Sequence, residues 1–64
     1  MRQETRDILE AMRRELRVKI SGIEHELDEL PSTQHGARHY RQGQVNSLEA
    51  VEYSIGVIIR GEEG

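Results

Sequence analysis

The sequence predicts an all-α protein: an antiparallel two-helix hairpin, coiled-coil-like, that dimerises into a four-helix bundle. Three observations carry this reading. An apolar stripe at 3/4 spacing runs from Leu9 to Leu30, a lone proline interrupts the chain at Pro31, and a second 3/4 stripe runs on to Ile59. Sixty-four residues leave room for a single domain spanning 1–64.

The first helix is placed at about residues 2–30. Its stripe is Leu9, Met12, Leu16, Ile20, Ile23, Leu27 and Leu30, which on a helix falls within a sector of roughly 80°. Ile8 widens one edge and Val18 lies on the opposite side. The steps 3, 4, 4 in its first part make an eleven-residue repeat, which predicts weak supercoiling. Arg6–Glu10, Glu10–Arg14 and Glu15–Lys19 stand at i,i+4, where opposite charges support a helix. Gly22 interrupts the propensity but leaves the period intact on both sides.

Pro31 ends the helix, because the residue before a proline is pushed out of the α region. A turn is expected at residues 31–36. Ser32 or Thr33 would cap an early second helix, and Gly36 would mark a later start; the sequence leaves both open. The second helix is placed at about 37–60, with 61–64 as a frayed tail. Its stripe is Ala37, Tyr40, Gln44, Leu48, Val51, Ile55, Ile58 and Ile59. Tyr53–Arg60 is rich in β-branched residues and read alone resembles a strand, but the 3/4 pattern runs through it.

A short turn between two helices makes them antiparallel. Charge agrees. Glu24, Glu26, Asp28 and Glu29 crowd the C-terminus of the first helix, and His35, Arg38, His39 and Arg41 crowd the start of the second. Each cluster opposes its own helix dipole, yet the two are complementary across the hairpin. Arg2 and Arg6 are expected near Glu62 and Glu63 at the other end.

A chain this small, without cysteine, has no disulfide to supplement its core, so a partner chain is the natural supplement. The second helix carries a seam of mostly small residues about 120° from its stripe: Gly43, Ser47, Ala50, Ser54, Val57 and Gly61. This seam lets two helices approach closely. The open edge of the large stripe is the other candidate for the dimer contact, and both together are a third. Val18 and Tyr53 are candidate anchors for a protein partner.

Little in the chain points to chemistry. No cysteine means no thiolate metal site and no cysteine nucleophile. His35 and His39 are spaced i,i+4, but His25 lies away from them and no metal is expected. The carboxylates at 24–29 lack the pocket that catalysis needs, so neither enzyme activity nor a cofactor is expected. Arg6, Arg13, Arg14 and Arg17 form a basic patch of the kind that contacts nucleic acid. The net charge of −3 and the absence of Trp and Phe argue against that partner. No apolar run is long enough to span a membrane. With no secretory leader visible, a cytoplasmic setting is expected.

The stretch Ala37-Arg38-His39-Tyr40-Arg41-Gln42-Gly43-Gln44-Val45-Asn46-Ser47-Leu48-Glu49-Ala50 resembles a pattern found in small helical-hairpin proteins of phages and mobile elements. In those proteins a Tyr, a Gly three residues on, then a Leu and a small residue open the second helix. The resemblance covers about a quarter of the chain and implies a helical hairpin and a phage-like source. It assigns no functional residue. The function expected is that of an adaptor, inhibitor or regulator acting by protein–protein contact. A nucleic-acid-binding regulator and a structural subunit of a larger assembly are the alternatives.

Overall fold

A computed structural model describes residues 2–63, the side chains of Glu62 and Glu63 excepted. The described residues form two helices, α1 (Gln3–Glu29) and α2 (His35–Glu63), which pack against each other. The molecule is a rod of 48 × 15 × 12 Å. The two helices run antiparallel: position 13 faces 52, 26 faces 41 and 27 faces 38, so numbers rise along one helix as they fall along the other.

Pro31 acts as expected. Leu30 leaves the helix with φ −71° and ψ 136°, and its N–H donates to the carbonyls of Glu26 and Leu27. Pro31 O then accepts from Gln34 N at 3.0 Å, closing a tight turn. Neither hydroxyl residue nor Gly36 marks the start of α2. The helix opens at His35, with Gln34 O accepting the Arg38 N–H at 3.1 Å. It therefore begins two residues before the expected 37 and continues through the expected tail to Glu63. Residues 53–60 are helical, as the spacing required.

The seam between the helices is a strict heptad. On α1 it comprises Leu9, Arg13, Leu16, Ile20, Ile23 and Leu27, continued by Leu30 just past the helix end; on α2, Arg38, Arg41, Val45, Leu48, Glu52, Ile55 and Ile59. Every one of these is buried or half-buried. Ile20, Val45, Ile55 and Ile59 form the buried core. The α1 stripe differs from expectation at one position: Arg13 takes the place given to Met12, which is 46% exposed. Arg13 restores the alternation of 4 and 3 that the Met12 reading broke, so the eleven-residue repeat is not what the packing uses.

On α2 the contact face is rotated by about 70° from the expected stripe. Ala37, Tyr40, Val51 and Ile58 are exposed, so Tyr40 is not a core residue. The apolar arc of α2 is wider than one neighbouring helix covers, and the contact with α1 uses only the edge that carries Val45, Glu52 and Ile59.

Candidate interaction surface

Arg13 and Glu52, the polar members midway along the two heptads, meet each other. Arg13 Nε donates to Glu52 Oε1 at 2.6 Å, and Arg17 Nε reaches the same oxygen at 3.1 Å. Gly56 makes room for this arrangement. A Cβ there would lie 3.2 Å from the Arg13 guanidinium carbon, so the lack of a side chain lets the guanidinium rest against α2. The Arg13–Glu52 contact sits between apolar positions on both helices and selects register, because slipping one helix by a turn leaves both charges against apolar neighbours.

The hydrogen bond from Arg13 draws the Glu52 carboxyl below the usual carboxylate range. Partial desolvation opposes that shift, and Arg17 adds to it. A depressed folded-state value means that this contact stabilises the fold above the ordinary carboxylate range and ceases to do so as pH falls through the folded value. Thermal melts followed by circular dichroism at neutral and acidic pH are expected to show a larger acid loss for the natural chain than for Glu52→Gln. Equal losses would mean that the pair does not contribute.

At the turn, the basic start of α2 serves the C-terminus of α1 as its charge pattern predicted. Arg41 Nε lies 3.4 Å from Glu26 Oε2. Arg38 acts differently: its Nη1 donates to the carbonyls of Leu27 at 2.9 Å and Leu30 at 3.2 Å. A cation from the second helix thus caps the C-terminal carbonyls of the first, where the dipole favours positive charge. His25 pairs with Glu29 on its own helix at 3.1 Å. The expected neighbourhood of Arg2 and Arg6 with Glu62 and Glu63 lies outside the described residues.

The hairpin has two unlike faces. With Ile20 and Val45 at position a of the heptad, the e positions are Glu10, Arg17 and Glu24 on α1 and Gln42, Glu49 and Gly56 on α2. Arg13 on Gly56, and Glu24 near Arg38 and Glu49, show these e positions sharing one polar face. The g positions lie on the other face: Thr5, Met12, Lys19 and Glu26 on α1, and Ala37, Gln44, Val51 and Ile58 on α2. Ile8 (62% exposed), Tyr40 (65%) and Ile58 (51%) extend this face as open apolar surface, with Met12 and Val51 between them. Beside Tyr40, a shallow groove of about 570 Å³ is lined by His39, Gly43, Gln44, Ser47 and Leu48.

The residues singled out in the sequence fall in several places. Gly43, Ser47, Ala50, Ser54 and Val57 are exposed on the side of α2 away from α1. No atom outside its own helix lies within 4 Å of a Cβ built on Gly43, and the Ser54 hydroxyl donates to Ala50 O at 2.9 Å. Val18 is exposed on the outer side of α1, and Tyr53 is exposed on α2 with the Arg60 guanidinium 6.0 Å from its ring centre. The basic patch is not a uniform cationic surface. Arg6 pairs with Glu10 at 3.3 Å, Arg13 and Arg17 share Glu52, and Arg14 borders a groove that Glu10 also lines. Among the described residues no group of three His, Asp or Glu stands close enough to hold a metal ion. No helix among them is long and apolar enough to cross a membrane.

Glu52 and Gly56 were missed in the sequence; Arg38 was placed in the basic start of α2, but not as the donor to the last carbonyls of α1. For Glu52 a signal exists: it sits at unbroken heptad spacing between Leu48 and Ile55, and Arg13 occupies the matching gap on α1. Comparison of the chain with protein-family models, with curated proteins and with solved structures finds no match.

Proposed function

We propose that this chain is a small non-enzymatic protein-interaction module, an adaptor, inhibitor or regulator, that self-associates into a four-helix bundle in the cytoplasm. The observation that carries the reading is the balance of buried and open apolar surface. Among the described residues four apolar side chains are buried, whereas eight large ones are exposed. Chains of this size seldom stand alone on so small a core, and a second hairpin supplies the missing half. The pattern on α2 supports it. A helix that meets one neighbour needs apolar residues only at a and d, whereas a bundle helix adds e or g, as Ala37, Val51 and Ile58 do here. The opposing charges around Arg6, Arg13 and Arg17 support nucleic-acid binding less well, since their own carboxylates compete with phosphate.

The test is the thermal midpoint across a dilution series. Folding coupled to association makes the midpoint rise with protein concentration. A midpoint independent of concentration, with full helicity at the lowest dilution, would contradict the proposal.

A further inference from the structure

The bundle reading leaves open which faces meet and which way round. We infer that two copies stack through the g-position face, with their turns at the same end, so that α1 of one copy lies on α2 of the other. This rests on the self-association proposed above and adds the surface and the orientation.

Area and pattern both favour this face over the small-residue seam. The hairpin's broad side measures 48 by 15 Å, a footprint of about 700 Å², close to the ~800 Å² per partner of a standard interface. That side carries Ile8, Met12, Tyr40, Val51 and Ile58, five of the eight large apolar side chains left exposed among the described residues. The small seam lies about 90° around α2 from the centre of this face. Of its members only Val57 is a large apolar residue, so it offers little surface to bury.

The orientation follows from where the apolar residues sit along the rod. Met12 on α1 and Val51 and Ile58 on α2 occupy the half remote from the turn. Nearer the turn the g positions are Lys19, Glu26, Gln44 and the small Ala37, with Tyr40 at the margin of the face. A two-fold axis along the rod sets Met12 against Val51 and Ile58 of the second copy, and Lys19 and Glu26 against Gln44. Reversing one copy sets Met12 against Lys19 and Ile58 against Gln44, placing apolar groups on polar ones. The first arrangement gives Met12, Val51 and Ile58 apolar partners, whereas the reversed one keeps only Val51 on Val51; in both, every helix is antiparallel to the one it covers.

The chain has no cysteine, so an introduced thiol reports one position without interference. Met12→Cys chains are mixed with Val51→Cys or with Ile58→Cys chains, and disulfide formation under mild oxidation is read by mass. A disulfide requires Cα atoms within about 7 Å, which makes it a test of contact and not of collision. The mixed disulfide between Met12→Cys and at least one of the two partners is expected to dominate. Efficient self-linking of Val51→Cys would instead place the turns at opposite ends, and self-linking of Ala50→Cys would move the contact to the small seam. Either result overturns this arrangement while leaving the bundle intact. No disulfide in any mixture, with the variants still helical by circular dichroism, also overturns it. If the concentration dependence of the natural chain's midpoint is absent as well, self-association itself fails.

Discussion

Ile20→Ala is expected to leave the chain largely unfolded at room temperature. Ile20 is the one buried apolar side chain that α1 contributes, 8% exposed at the centre of the heptad seam. Truncating a buried Ile to Ala costs about 2–5 kcal/mol, since the lost transfer energy and the cavity add. A core of this size rarely supplies more than about 3–5 kcal/mol in total. The two figures overlap, so a single truncation removes most of the stability. Far-ultraviolet circular dichroism with urea titration measures it. Val18→Ala, exposed on the outer side of α1 and away from both the seam and the g-position face, is the comparison. A loss below about 1 kcal/mol at Ile20 would mean that the seam is not the core.

The second large effect concerns assembly. Val51→Glu and Ile58→Glu each place a carboxylate on the open apolar face without touching the seam within one chain. If that face is covered by a second copy, the charge is desolvated with no cation opposite it. The cost is then large enough to weaken association by two decades or more in Kd, at about 1.4 kcal/mol per decade. Helicity falls with it, because the hairpin alone buries too little apolar surface. If the face were open to water, the same substitutions would leave helicity unchanged and raise solubility. Sedimentation equilibrium of the two variants separates these outcomes.

The helices and their antiparallel order were legible in the residues, and the faces were less so. Pro31 located the turn, and the acidic end of α1 against the basic start of α2 set the direction, as the Arg41–Glu26 pair confirms. On α1 a reading that counts only apolar residues takes Met12 over Arg13, and the period then stutters. Admitting one charge restores the strict heptad. On α2 the apolar arc spans two contact faces, and its centre falls between them. Periodicity gives the centre of an arc, not how two neighbours divide it. Tyr40, Val51 and Ile58 therefore read as core although they are exposed within the hairpin, while Val45, outside the expected stripe, is its most buried apolar residue at 2%. The matching charged gaps, Arg13 and Glu52, were the signal that would have divided the arc correctly. The role of Gly56 had no such signal, since only the position of the Arg13 guanidinium reveals the need for an absent Cβ.

The most direct test of the central claim is the molar mass of the natural chain by light scattering on a size-exclusion column. The account predicts twice 7.4 kDa at high concentration, with mass and helicity falling together on dilution. A fully helical species of 7.4 kDa at every concentration would contradict it. The g-position face would then be a solvent-exposed surface of a hairpin stable by itself.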